Sequence, residues 1–242
     1  MEKPNSAGQC ERCRFFKPLC VCAELPRHKL DTRIVVIMHF REQILTTNTA
    51  RLAGLIFPNS EIRVRGGRIP PLRYEDVVPA GYTPALLFPA EDAVELTPEV
   101  AARLPRPLAL IVPDGSWRQA RKVHGRETAL RDVPRFKLPP GAPSGFGRLR
   151  HSPHPGNLST FEAIARALGA LHGPELQAGL EKAFLTVVER RLWSQGKLAA
   201  EDAVTGIPQA AFDAQRRAGM LAAPCPPRKQ KTPSVDDDGE GV

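Results

Sequence analysis

Two short runs of mostly apolar, largely β-branched residues constrain the fold of this chain more than any other feature. They are residues 33–40 (RIVVIMHF) and 107–113 (PLALIVP). Runs of this length without polar alternation are typical of strands that are buried on both faces, as in a parallel sheet. Because helical patterns follow both runs, the sequence predicts an α/β domain with a largely parallel sheet and flanking helices.

Weaker patterns supply the remaining elements. Strands are predicted at 61–65, 84–90 and 135–138, and helices at 48–57, 97–104, 116–124, 159–171 and 174–193. The first of these helices is expected to use Thr47 or Asn48 as its N-cap. The helix at 159 is expected to open with a capping box, since Glu162 follows Ser159 by three residues.

The composition changes along the chain and suggests three parts. Residues 1–30 are polar and carry four of the 5 cysteines, and residues 31–222 carry the α/β pattern. Residues 223–242 are rich in proline, then basic, then acidic, which is typical of a disordered tail. We therefore expect a small N-terminal zinc-knuckle module at 1–30, a catalytic α/β domain at 31–222 and a disordered tail at 223–242.

The cysteine module is the most specific local signal. Cys10, Cys13, Cys20 and Cys22 follow the spacing C-x2-C-x6-C-x-C, and two close pairs joined by a turn can supply four thiolates to zinc. Since nothing in the sequence indicates secretion, the cysteines are expected to be reduced and to bind metal rather than form disulfides. The alternative is a flexible leader with four unligated thiols.

The net charge favours a polyanionic partner. Lysine and arginine number 34 against 26 acidic residues, a formal charge of +8, which suits RNA or DNA. The alternative is a basic surface that only keeps the protein in solution. Because there is neither an apolar run of membrane-spanning length nor the apolar core of a signal peptide, we expect a cytoplasmic protein with no membrane contact.

The segment after the second apolar run reads PDGSWRQARKVHGRE. Asp114 would end a buried strand, where α/β sheets place their ligands, and Gly115 allows a tight turn there. Ser116 can cap the next helix, and Trp117 would share one face of it while arginines share another. The alternative is a tryptophan that only anchors a surface helix with solvated arginines.

Five stretches of the sequence, taken in order, resemble the DTW-domain family, the tRNA-uridine aminocarboxypropyltransferases. They are CERCRFFKPLCVC, MHFREQILTTNTARLA, DGSWRQARK, RLRHSP at 148–153 and LSTFEAIARAL at 158–168. The resemblance covers roughly residues 10–195. Two departures are Ser116, where many members carry threonine, and Phe40, where proline is usual.

The resemblance implies a fold related to the knotted SPOUT methyltransferases. It also implies transfer of the 3-amino-3-carboxypropyl group of S-adenosylmethionine to N3 of a tRNA uridine, with release of 5′-methylthioadenosine. In bacterial members the product is acp3U47, in the variable loop. Metal is not needed at the reacting carbon because the sulfonium is already a good leaving group, so the zinc would be structural.

Within this resemblance, the expected catalytic residues are Asp114, Ser116 and Trp117. The expected donor-binding residues are Pro113, Arg150, Ser152, Ser159 and Thr160. Asp114 would remove the N3 proton or hold the donor's amino group, and Arg150 would pair with its carboxylate. His39 and Glu42 would shape the same mouth or form a local pair that fixes a turn.

Two other functions compete with this one. A SPOUT-type RNA methyltransferase would share the donor and the fold but move the methyl group. A non-enzymatic zinc-knuckle protein would bind RNA only. In each case tRNA or other RNA would meet the cysteine module and the arginines near 118–126, and no obligate protein partner is evident from the sequence.

Overall fold

The computed structural model describes residues 8–145 and 158–217, and this part of the chain forms an α/β fold around one parallel sheet. Its six strands are arranged in the order β2-β1-β5-β3-β6-β4. The strands are β1 (Thr32–His39), β2 (Ser60–Arg65), β3 (Thr83–Leu87), β4 (Val94–Glu95), β5 (Leu108–Asp114) and β6 (Arg135–Lys137). Every neighbouring pair is parallel, as the buried apolar runs predicted.

Helices cover both faces of the sheet. They are α1 (Arg51–Ile56), α2 (Tyr74–Val77), α3 (Pro98–Ala101), α4 (Trp117–Arg126), α5 (Thr160–His172), α6 (Pro174–Ser194) and α7 (Gln209–Arg217). Short 3-10 helices lie at Lys17–Leu19, Phe40–Ile44 and Thr128–Leu130. Among the described helices none is both long and apolar enough to span a membrane.

The two central strands, β1 and β5, bury side chains on both faces because successive residues of a strand point to opposite sides. Ile34, Val36 and Leu110 belong to a cluster that also contains apolar residues of α1, α5 and α6. Val35 and Ile111 belong to a second cluster with residues of α2 and α4. Each such buried side chain contributes roughly 1.5–3 kcal/mol, so these two strands fix the centre of the fold.

The cysteine module packs directly on the α/β domain. Phe15, Leu19 and Val21 are buried in the same cluster as the apolar residues of α5 and α6. The guanidinium of Arg190 on α6, which is 2% exposed, donates to the carbonyl oxygen of Cys20 at 3.0 Å and pairs with Glu24 at 2.5 Å. The division of the chain at residue 30 stays a prediction, and the tail at 223–242 lies outside the described residues.

Two local predictions differ from the structure. Helix α1 begins at Arg51 with Ala50 as its N-cap and no capping side chain, so the expected cap at Thr47 or Asn48 is wrong. The amide of Asn48 instead donates to a distant carboxylate. Strand β4 and helices α2 and α7 were not predicted, whereas α3, as short as α2, was, because Thr97 and Pro98 provide a helix-start signal there. The knotted SPOUT topology stays a prediction.

Candidate active site at the carboxyl edge of the sheet

The site begins where β1 and β5 end side by side, with Met38 opposite Asp114 in the parallel register. Asp114 is 4% exposed. Its Oδ2 accepts a hydrogen bond from Asn48 Nδ2 at 2.7 Å, and its Oδ1 accepts one from the Thr160 hydroxyl at 2.5 Å. The carboxylate therefore ties the segment before α1 and the first turn of α5 to the end of β5.

A tight turn follows Asp114. Gly115 has φ +150°, and a Cβ there would lie 2.9 Å from Gln119 Oε1 and 3.3 Å from the Cβ of His39, so only glycine fits without a shift. Ser116 caps α4 in a reciprocal capping box with Gln119. The Ser116 hydroxyl is thus used to start the helix that carries Trp117.

His39 joins the first strand to this turn. Its Nδ1 lies 3.1 Å from Gln119 Nε2 and accepts a hydrogen bond from the backbone N–H of Arg41 at 3.3 Å. Burial lowers the pKa of His39, and the positive charges of Arg41 and Lys122 lower it further, against the opposing effect of Glu42. The neutral imidazole therefore accepts at Nδ1 and braces the turn.

A cavity of about 630 Å³ opens beside this turn, along the carboxyl ends of β3, β5 and β6. A volume in this range is typical of small-molecule sites. The predicted residues Pro113, Trp117, Ser159 and Thr160 line it. Trp117 is 41% exposed, and its ring lies 6.5 Å from that of Phe88 on the same wall. Asp114 lies beneath the cavity and meets it through Thr160.

The opposite wall is a proline-rich loop at 138–143 that is fastened to α5. The buried carboxylate of Glu162 accepts hydrogen bonds from Ser144 Oγ at 2.7 Å, from Gly145 N at 2.8 Å and from Ser159 N at 2.8 Å. Arg166, which lines the cavity, donates to the carbonyl oxygen of Ala142 at 2.5 Å. The hydroxyl of Ser159 serves as the N-cap of α5, as its capping box predicted.

Three of the stretches that carried the family resemblance, those with Asn48, Asp114 and Thr160, contact one another here. In addition to the bonds of Asp114, the hydroxyl of Thr49 accepts from the backbone N–H of Phe161 at 3.5 Å. Glu42 is buried, and its Oε2 lies 3.5 Å from the amide of Asn48. Arg150 and Ser152 lie outside the described residues and stay predictions.

Sequence reasoning did not single out Asn48, Gln119 and Arg166 as site residues. Asn48 could have been found, because it belongs to one of the quoted stretches. Gln119 could have been found as the partner of Ser116 in a capping box, three residues on, although its contact with His39 has no local signal. Arg166 carries no local signal, since its role depends on the loop at Ala142.

The four cysteines have the geometry of a metal site. Their Sγ atoms all lie within 4.8 Å of one another, with Cys10 and Cys22 at 3.8 Å and Cys13 and Cys20 at 3.7 Å. Tetrahedral zinc with Zn–S bonds of about 2.3 Å requires sulfurs about 3.8 Å apart, so the four thiols fit zinc.

The charges of the cysteines also suit a cation. The backbone N–H of Cys13 lowers the pKa of Cys10 to about 6, whereas burial raises the pKa of Cys20 and Cys22. Thiolates that are disfavoured by burial become stable when a dication shares the site.

Comparison with known proteins identifies the family to which the chain is similar. The family model described as DTW domain matches residues 7–192. The tRNA-uridine aminocarboxypropyltransferase 2 of Drosophila melanogaster is 29% identical over 79% of this chain and 78% of its own length. The tRNA-uridine aminocarboxypropyltransferase A of Arabidopsis thaliana is 26% identical over 78% of this chain and 81% of its own.

A third relative is the tRNA-uridine aminocarboxypropyltransferase 2 of Macaca fascicularis, which is 26% identical over 71% of this chain and 59% of its own length. No solved structure matches the chain. Since the family model spans well over half of the 242 residues, from the cysteine module to the end of α6, the chain belongs to the DTW domain family.

Proposed function

We propose that this protein transfers the 3-amino-3-carboxypropyl group of S-adenosylmethionine to N3 of a tRNA uridine, at position 47 of the variable loop, in the cytoplasm. The observation that carries the proposal is the match to the DTW domain together with relatives named tRNA-uridine aminocarboxypropyltransferase. The cavity beside Asp114 supports it, because it is large enough for the donor and opens to the surface.

The reaction makes one bond and breaks one. N3 of the uridine loses its proton, and its electron pair attacks the γ-carbon of the methionine chain. The bond from that carbon to sulfur breaks, and its electron pair stays on sulfur, which leaves as the neutral thioether 5′-methylthioadenosine. The protein has to remove a proton, align the two reacting atoms and keep the methyl group away from N3.

The walls of the cavity suit the donor. Proline, leucine and aromatic side chains provide apolar surface for the adenine ring and the methylthio group, and Trp117 with Phe88 offers a stacking face. Lys137 and Arg166 are the cations that line the described walls, so they complement the donor's carboxylate, as does the predicted Arg150.

Thr160 provides a path for the proton. Thr160 lines the cavity and its hydroxyl donates to Asp114 Oδ1, so a base role for Asp114 would have the Thr160 oxygen accept the N3 proton while its own proton passes to the carboxylate. Asp114 then acts as the base through Thr160. Because Asp114 is buried and does not line the cavity, this relay is favoured over a direct contact with the donor's amino group.

Isotope labelling separates this reaction from its competitors. S-adenosylmethionine would be labelled in the methyl group in one reaction and in the carboxypropyl chain in another, each with tRNA. We expect only the carboxypropyl label to enter tRNA, with 5′-methylthioadenosine as the product. Methyl label in tRNA with S-adenosylhomocysteine would establish a methyltransferase, and tRNA binding with no label transferred would establish a binding protein.

A second arm tests the position of the uridine. A tRNA transcript with cytidine in place of uridine 47 should accept no label and still bind with the affinity of the unchanged transcript. Equal labelling of the two transcripts would contradict position 47 and leave the reaction itself intact.

A further inference from the structure

Two arginines from distant parts of the chain converge on one backbone oxygen at the carboxyl edge of the sheet. Arg14 follows Cys13, the second cysteine of the cysteine module, and its Nη1 donates to the carbonyl oxygen of Gln43 at 3.1 Å. Arg51, the first residue of α1, donates to the same oxygen through Nη2. Since Arg51 stands three residues after Asn48, this pair lies next to the hydrogen bonds of Asp114.

In the described part of the chain, the two guanidinium groups make no ion pair. Within 8–145 and 158–217, neither Arg14 nor Arg51 lies within ion-pair distance of a carboxylate. Two other arginines differ, since Arg65 pairs with Glu127 and Arg190 with Glu24. One carbonyl oxygen, with Asp114 acting only beyond ion-pair distance, is a small compensation for two positive charges, so the pair can accept an anion.

The charges around Arg51 also indicate that the protein compensates the two guanidinium groups only in part. Burial lowers the pKa of Arg51 first, the charge of Arg14 lowers it further, and the charge of Asp114 acts in the opposite direction. The Nε atom of Arg51 is buried without a hydrogen-bond partner in the described part of the chain. A bound anion would relieve the repulsion and accept hydrogen bonds from both groups.

The left-handed backbone conformation of Arg14 indicates that its cationic side chain has a function. Arg14 has φ 59°, in the left-handed region that glycine and asparagine adopt readily and arginine rarely does. Its backbone N–H donates to the carbonyl oxygen of Cys10 at 2.8 Å, so the turn of the cysteine module holds this conformation. A long cationic side chain at a position suited to glycine is a costly choice unless the cation is needed.

The surroundings indicate a polymer of phosphates. Neither Arg14 nor Arg51 lines the cavity, so they are placed outside it rather than on the donor. Arg14 is exposed, and so are Arg41 and Lys122, whose charges both act on His39. These cations run from the cysteine module past the end of β1 to α4.

We propose that Arg14 and Arg51 form a clamp for a backbone phosphate of the tRNA, beside the nucleotide that enters the cavity, and that zinc positions the clamp by ordering the turn at Arg14. This inference rests on the proposed function for its partner. Guanidinium groups bind phosphate through paired hydrogen bonds, and such contacts set the register of the RNA without reading its sequence.

The test compares Arg14→Gly, Arg51→Met and the double variant with the wild type and with Arg103→Ala. Glycine relieves the left-handed strain and removes the cation, and methionine keeps the apolar stem of Arg51. Arg103 is an exposed arginine just after α3, before β5 begins, and so lies towards the other edge of the sheet. Binding of unmodified tRNA is measured over a series of salt concentrations, together with melting temperature and zinc content.

We expect each clamp variant to weaken tRNA binding by about tenfold or more, with the slope of log affinity against log salt smaller by about one. Melting temperature, zinc content and KM for S-adenosylmethionine should stay at wild-type values, and Arg103→Ala should bind tRNA normally. Wild-type tRNA affinity in both single variants, with a lowered melting temperature, would mean that the arginines only brace Gln43 and would overturn the clamp.

A raised KM for S-adenosylmethionine with unchanged tRNA affinity would also overturn the clamp, because the anion would then be the donor's carboxylate. The proposed function is read separately, from label transfer by the wild-type protein. If the wild type binds tRNA in an Arg14- and Arg51-dependent way yet transfers no carboxypropyl label, the clamp is supported and the proposed function fails.

Discussion

Two arginine sites at opposite edges of the central sheet differ in how far the protein itself compensates their charges. At the amino edge, Arg106 donates to Thr32 Oγ1 at 2.9 Å, to the carbonyl oxygen of Leu171 at 2.9 Å and to Asp31 at 3.2 Å. His172 completes that network, with its Nε2 2.8 Å from Thr32 Oγ1. At the carboxyl edge, Arg14 and Arg51 share a single carbonyl oxygen, and Asp114 acts on Arg51 only through its charge.

This difference separates groups that stabilise the fold from groups that are available to a ligand. A cation whose donors are satisfied by the protein, as at Arg106, adds to the free energy of unfolding and has nothing left to bind. Cations and hydroxyls that surround a cavity contribute less to stability and more to recognition. Substitutions at the two edges should therefore alter different measured quantities.

The largest effect is expected at Asp114. An asparagine keeps the shape, and since the Thr160 hydroxyl can turn to accept from the new amide, the contacts with Asn48 and Thr160 survive without a carboxylate to receive the proton. The single-turnover rate of Asp114→Asn should fall about 10²–10⁴-fold, while the melting temperature changes little. A rate within threefold of wild type together with a lowered melting temperature would make Asp114 a structural residue.

Loss of the predicted zinc is expected to be nearly as large in free energy but to act on stability. Cys20→Ser removes one ligand, and because Phe15, Leu19 and Val21 belong to the common core, the whole domain should melt earlier in one transition. The loss is about 4 kcal/mol where free zinc exceeds its dissociation constant a thousandfold. Calorimetry with zinc analysis checks this, and Cys225→Ser, outside the described residues, is the control. A separate early transition would show an independent module.

A smaller effect is expected at the amino edge. Arg106→Ala leaves Thr32 and the carbonyl of Leu171 without a charged donor, so the free energy of unfolding should fall by about 2 kcal/mol. The rate of transfer and the affinity for tRNA should stay at wild-type values below the melting temperature. Denaturant unfolding and a kinetic assay on the same preparation measure both quantities. A lower transfer rate with wild-type stability would contradict the proposed difference between the two arginine sites.

The smallest effect concerns the pH dependence of stability. Burial lowers the pKa of His172 below its ordinary 6.5, and the charge of Arg106 lowers it further, against Asp31. The unfolded chain therefore binds the proton more readily, so stability is complete above about pH 6.5 and falls as the pH drops below it.

One proton contributes at most about 1.4 kcal/mol per pH unit. His172→Gln should flatten this part of the curve of unfolding free energy against pH between 7 and 5. An unchanged slope would show that His172 keeps its ordinary pKa. His39 and His124, whose pKa values burial also lowers, account for slope that remains.

Prediction from the sequence succeeded where a pattern is local. The apolar runs of β1 and β5 reveal their burial, because a strand covered on both faces has no polar alternation. The capping box of Ser159 and Glu162 and the spacing of the four cysteines depend on residues a few positions apart. These features were therefore visible before the fold was known.

Prediction failed where partners lie far apart in the chain. Asn48 has the residue type of an N-cap, and only the parallel pairing of β1 with β5 brings it to Asp114, 66 residues away. Arg14 and Gln43 meet because the cysteine module packs on the α/β domain, and no residue spacing in the sequence indicates that contact. The strand order, with β5 between β1 and β3, likewise follows from tertiary packing.

The carboxylate of Glu162 has a consequence for the entropy of binding. By holding Ser144, Gly145 and Ser159 at once, it fixes one end of the cavity loop to the first turn of α5. Prolines at 139, 140 and 143 restrict the same loop, since each ring fixes its own backbone torsion. A ligand that enters meets a wall whose chain freedom was already lost on folding, so more of its contact energy appears as affinity.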